Sequence, residues 1–126
     1  MTHKNRIEDL KKLNLKIEEM GGSEKLKVRK KAGYLNARER IDLFFDKGTF
    51  FEIGKFVTSS NEHDKDKTPA DGKITGYGKV SNRKVAVISN DLTVKGASSS
   101  NMNTKKISFI KKSAEKLGMP IAFFGE

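Results

Sequence analysis

The chain has no cysteine, no tryptophan, two prolines and two histidines among its 126 residues. Without cysteine there is no disulfide framework, no thiolate nucleophile and no cysteine-based zinc site. His3 lies near the terminus, and His63 sits in a polar run beside Glu62, Asp64 and Asp66. Such loop clusters are ordinarily solvated and fall short of a metal-ligand set, so no metal is expected. No stretch reaches the run of about 18 apolar residues that a transmembrane helix needs. The N-terminus lacks the apolar core of a signal peptide, and Glu8, Asp9, Glu18 and Glu19 argue against a transit peptide. These absences fit a reducing, cytoplasmic setting without membrane contact.

Positive charge is what the chain has in excess. Its 26 Lys/Arg outnumber its 16 Asp/Glu, a formal net charge of +10. Twelve of the basic and six of the acidic residues fall within the first 40, and the densest run is Lys25, Lys27, Arg29, Lys30 and Lys31. No aromatic residue is interleaved with those charges for base stacking, and no nucleic-acid motif accompanies them. A solvated helix face explains the run more simply than a nucleic-acid site does.

The length allows one domain at most. Ile7, Leu10, Leu13, Ile17 and Met20 recur at helical spacing, and Gly21-Gly22 close that helix. Ser23 opens a second, basic helix running to Ala32, and Gly33 ends it. Asn36 and Glu39 have the spacing of a capping box, ahead of a helix whose apolar side is Ala37, Ile41, Phe44 and Phe45. No buried partner for these helices is obvious in the sequence. Thr49–Ile53 reads as a short strand, and Lys55–Ala70 as an exposed, mobile polar loop.

The richest segment follows. Lys73–Val80 alternates like a strand, Ser81–Lys84 turns the chain, and Val85–Ile88 is an apolar run that reads as a strand buried on both faces. A Gly/Ser-rich loop then leads from Asp91 to Asn103. The next helix carries Ile107, Ile110, Ala114 and Leu117 on its apolar face, and Ile121–Phe124 reads as a further buried strand. The unit is β-β-α-β, in an α/β fold. A buried strand that delivers a small-residue loop to a helix N-terminus offers backbone N–H groups to an anion.

Three blocks, Leu35–Glu52 (LNARERIDLFFDKGTFFE), Asp71–Gly78 (DGKITGYG) and Ser89–Ser98 (SNDLTVKGAS), followed by Pro120–Glu126 (PIAFFGE), resemble the carboxyltransferase β-subunit family of biotin-dependent acyl-CoA carboxylases. Propionyl- and methylcrotonyl-CoA carboxylases and the related decarboxylases belong to that family. Order and spacing match from about Gly33 to the end, whereas the residues before Gly33 fit poorly. Ala97 stands where many relatives carry a second glycine. Charge and helical spacing mark residues 1–32 as a basic helical arm, and the resemblance implies, over 33–126, the start of a crotonase-like domain cut off at its C-terminal end.

The resemblance also implies a chemistry. A carboxyl group passes from carboxybiotin to the α-carbon of an acyl-CoA through a thioester enolate, whose oxygen is held by backbone N–H groups. The implied donor is Gly96 or Ala97; the other reading of Gly96 is a plain turn glycine with positive φ. Lys95, Gly96 and Ala97 would run beside CoA, with Arg38, Arg40, Lys105 and Lys106 weaker candidates. Implied partners are acyl-CoA, a biotin carboxyl carrier, a biotin carboxylase and further copies of the chain. A different class of function, a free-standing basic protein that binds polyanions or a partner subunit without catalysis, remains open on the sequence.

Overall fold

A computed structural model of the protein describes residues 2–125, so Met1 and Glu126, the last residue of the PIAFFGE block, lie outside it. Three helices come first: α1 (His3–Glu18), α2 (Ser23–Lys31) and α3 (Ala37–Phe44). Strands β1 (Phe51–Ile53), β2 (Lys73–Val80) and β3 (Arg83–Asn90) follow, then α4 (Asn101–Leu117) and β4 (Ile121–Phe124). The sheet order is β1-β2-β3-β4, antiparallel except for the parallel β3–β4 pair that α4 connects.

The expected β-β-α-β unit is therefore present, and β3 divides the core. Val87 packs with Ile41, Phe45, Ala37, Met20 and Ile74 on one face. Ala86 and Ile88 point the other way, onto Ile110, Ala114 and Met119. Strand alternation thus sandwiches the buried 86–89 stretch of β3 between α3 and α4. The β2–β3 hairpin turns on Ser81 and Asn82, both with positive φ, and the Asp46 carboxylate accepts both of their N–H groups.

The Asn36 side chain caps α3 by accepting the Glu39 N–H at 2.9 Å, and its amide donates to the Glu39 carboxylate. Glu39 therefore reaches the Asn36 side chain, a variant of the expected capping box. At the head of α4 the box is complete between Ser100 and Asn103.

Four expectations need correction. The N-terminal helices do have partners: Ile17 and Met20 are buried, although Ile7, Leu10 and Leu13 face solvent. Residues 55–70 are not one open loop; they hold short 3-10 turns at Glu62–Lys67 and Pro69–Gly72, with Thr68, Ala70 and Asp71 buried. On α4, Leu117 is 62% exposed, and the stripe runs instead through Asn103, Lys106, Ile110 and Ala114. Finally, β4 is an edge strand whose Ile121 and Phe123 are exposed, because it pairs only with β3 among the described residues.

Candidate functional site

β3 ends at Asn90, and its loop turns back at once. Buried Asp91 accepts the N–H and hydroxyl of Thr93. Burial pushes its carboxyl upward, and the Thr93 hydrogen bonds pull partly the other way. The Thr93 hydroxyl in turn accepts the Gly21 N–H at 2.9 Å, and Lys25 Nζ reaches the Thr93 carbonyl at 3.3 Å. The α1–α2 junction is thereby seated on the loop.

Lys95, Gly96 and Ala97 follow with φ of +51°, +58° and +56°, three consecutive left-handed residues. The Ala97 N–H donates to the Val94 carbonyl at 2.9 Å and the Ser98 N–H to that of Lys95 at 3.2 Å. Among the described residues the Gly96 N–H has no such acceptor. A Cβ built on Gly96 would meet nothing within 4 Å, so neighbouring atoms do not require glycine here. What remains is an uncommitted backbone donor beside open space, a few residues ahead of the N-terminus of a 17-residue helix. Such a group can stabilise a developing oxyanion without any titrating side chain.

The loop is held by Asp71 and Lys73, which sequence reasoning did not single out, and by Lys106, expected only as a weaker candidate for a CoA phosphate. Asp71, fully buried, accepts from Lys95 Nζ at 2.7 Å, from the Ser100 hydroxyl and from the Asn103 N–H at 3.1 Å. Lys73 Nζ donates to the Ala97 carbonyl at 2.6 Å and to Asn90 Oδ1 at 2.7 Å. Burial lowers the Lys73 ammonium's pKa, Asp71 opposes that shift and Lys95 reinforces it. Lys106 Nζ donates to the carbonyls of Ala70 and Lys73, and burial brings its pKa down to about 8, with Glu52 and Asp71 opposing. A signal was available for two of these residues. Asn103 and Lys106 continue the Ile110–Ala114 stripe at helical spacing, so polar side chains there had to be buried and paired.

Lys95, Gly96 and Ala97 lie together, as their adjacency requires, but Arg38 is elsewhere. Its guanidinium grips Glu52 through contacts of 2.7 and 3.2 Å, tying α3 to β1. It lines a cleft with Glu18, Phe50 and Lys55, whereas Lys95 lines another, of about 690 Å³, between the end of α1, the 3-10 turns and Thr93. Lys16, Lys25, Lys65 and Lys67 share that second cleft. No group of three or more metal-ligating side chains occurs among the described residues. None of their helices is long and apolar enough to cross a membrane.

The sequence pattern of the carboxyl transferase domain matches residues 28–126. The propionyl-CoA carboxylase carboxyltransferase subunit of Haloferax mediterranei is 36% identical over 124 residues, which is 96% of this chain and 24% of that protein. The methylmalonyl-CoA decarboxylase subunit alpha of Propionigenium modestum is 37% identical over 92% of this chain and 23% of its own length. The crystal structure of transcarboxylase 12S, a hexamer with methylmalonyl-coenzyme A and methylmalonic acid bound, superposes with a TM-score of 0.90. That match has 32% identity and covers 98% of this chain and 25% of that one. The P. aeruginosa geranyl-CoA carboxylase β subunit, at 23% identity and a TM-score of 0.77, shares the fold.

Three consequences follow. The helices-then-sheet architecture is that of crotonase-like carboxyltransferases. The segment before Gly33, expected to fit poorly, lies within both of the matches that cover nearly the whole chain. The free-standing polyanion-binding alternative is not favoured. The chain spans about a quarter of the length of the curated relatives it matches, and over that quarter it belongs to the carboxyl transferase domain family of biotin-dependent acyl-CoA carboxylases.

Proposed function

We propose that this chain supplies part of the acyl-CoA side of a carboxyltransferase site, with the Gly96 N–H as one donor to the thioester oxygen. The observation that carries this is the uncommitted Gly96 amide beside open space, on the loop after a buried strand, within a family match that spans the loop. Loss of a proton from the α-carbon of an acyl-CoA places negative charge on the thioester oxygen. A fixed N–H stabilises that charge more than it does the neutral carbonyl, and this difference lowers the barrier. Of the two implied donors, Gly96 is favoured, because the Ala97 N–H is already given to Val94.

The 690 Å³ cleft is of a size that takes part of a large ligand. We assign the phosphates of CoA to its lysines. Lys95, paired with Asp71, sits at the end nearest Gly96. Ala97 frames the turn. Arg38 is assigned to holding α3 against β1, because its guanidinium is committed to Glu52. Residues 1–32 act as an arm seated through Gly21 and Met20 on the domain that begins at Gly33.

Carboxybiotin, delivered by a biotin carboxyl carrier that a biotin carboxylase charges, is the second substrate, as the family membership implies. Assembly into homo-oligomers in the cytoplasm completes the proposal; relatives are named as subunits, and transcarboxylase 12S is a hexamer.

The test is kinetic. This segment replaces its counterpart in the Haloferax subunit, and carboxylation of propionyl-CoA is measured with Gly96 and with Gly96→Val. A β-branched side chain strains the left-handed turn and fills the open space beside the amide. Turnover is expected to fall about a hundred- to a thousand-fold, the usual cost of losing one oxyanion donor, with little change in KM. Near-normal turnover would leave Gly96 a turn glycine and remove the assignment.

A further inference from the structure

We propose that Asp71 and Lys73 are positioning residues that grip the Lys95–Ala97 turn from both ends and so aim the Gly96 N–H; this rests on the reading of Gly96 as a donor. Lys95 and Ala97 are not glycines, and a left-handed conformation crowds the Cβ of such residues against the backbone. Two such residues in a row around Gly96 persist only where their surroundings hold them.

Hydrogen bonds on both sides of Gly96 supply the restraint. Before Gly96, Lys95 Nζ is drawn to Asp71 Oδ1 at 2.7 Å. After it, the Ala97 carbonyl receives Lys73 Nζ at 2.6 Å. Both gripping side chains come from one three-residue stretch, itself fixed to α4 and to the stem of the loop. The second Asp71 oxygen takes the Asn103 N–H, and the Asp71 carbonyl takes Asn103 Nδ2 at 3.0 Å. Lys106 donates to the carbonyls flanking the stretch, and Lys73 also holds Asn90 Oδ1 at the end of β3.

Burying a carboxylate and an ammonium is costly, and apolar residues of similar volume often serve stability as well. What apolar residues cannot do is hold a lysine head before Gly96 and a carbonyl oxygen after it. The grip leaves the intervening amide as the one N–H of the turn's Gly96–Ser98 run without an acceptor among the described residues. A donor already aimed needs no reorganisation when charge develops.

The test uses the ¹⁵N-labelled 126-residue chain and its Lys73→Met, Lys95→Met and Asp71→Asn variants. The readout is the intraresidue HN–Hα cross-peak of Lys95 and Ala97, which is strong only at positive φ. Amide protection across Val85–Ile88 reports the fold separately. The expected result is loss of the strong cross-peaks and movement of the Gly96 amide, with β3 protection kept. Lys95→Met removes the Asp71 contact from the solvent side, so it decides the matter should Asp71→Asn not fold. Retained cross-peaks in Lys73→Met and Lys95→Met would overturn the proposal. So would loss of β3 protection in Lys95→Met, because the pair would then hold the fold rather than the turn. A failure of the donor reading looks different: the variants lose the turn, but propionyl-CoA leaves the Gly96 amide of the unaltered chain unmoved.

Discussion

Gly21 lies so close to Thr93 that a Cβ built on it would stand 1.9 Å from the Thr93 carbonyl oxygen. Its N–H meanwhile donates to the hydroxyl of the same residue at 2.9 Å. The α1–α2 junction therefore touches the functional loop backbone to backbone, which no other residue type permits. Gly21→Ala is expected to cost about 1–3 kcal/mol, the usual range for overpacking a close contact. Urea unfolding of the chain checks this. An unchanged midpoint would mean that the arm is not seated on Thr93.

Lys106 should titrate well below the ordinary lysine value. Burial lowers its pKa from 10.5 to about 8. A neutral amine still carries two hydrogens, enough for the carbonyls of both Ala70 and Lys73. Between pH 8 and 10.5 the unfolded chain binds more protons at this site than the native chain does. The Lys106 contribution to stability therefore rises with pH in that window; it is lost as pH drops from 10.5 to 8 and is level below 8, where both states carry the proton. An NMR titration of the lysine side chains should find one midpoint near 8; a Lys106 midpoint at 10.5 contradicts the described burial.

Arg38 separates a structural role from a ligand role. Its side chain is 18% exposed and that of Glu52 10%, so the pair is largely shielded from solvent. Arg38→Met should lower stability by about 1–3 kcal/mol, in the range for a charged hydrogen bond removed from a shielded site. In the Haloferax chimera it should leave KM for propionyl-CoA within about twofold, since no ligand contact is lost. A tenfold rise in KM at unchanged stability would return Arg38 to the CoA site.

Periodicity was enough for the β2–β3 hairpin, α4 and the crossover to β4, because each is a local pattern of apolar spacing and turn residues. It misled at Leu117 and along α1, where helical spacing persists but the sheet covers only part of the stripe. The polar stretch 55–70 misled for the opposite reason. Thr68 is buried with its hydroxyl bonded to backbone groups of Ser59 and Asp64, and composition carries no trace of such pairing. The site divides the same way. Gly96 was legible as a glycine between a buried strand and a helix. The Asp71–Lys95 and Lys73–Ala97 contacts span 24 residues each and exist only once β2 and the loop are brought together.

The most direct test of the central claim is the response of the Gly96 amide to a thioester. The ¹⁵N-labelled chain is titrated with propionyl-CoA and, separately, with free CoA, which has the same nucleotide and pantetheine but no thioester carbonyl. Donation to a carbonyl oxygen deshields an amide proton. The account predicts a downfield shift of the Gly96 N–H with propionyl-CoA that free CoA does not reproduce, while the lysine-lined cleft responds to both. A Gly96 amide that stays in place with propionyl-CoA, or moves equally with free CoA, would contradict it.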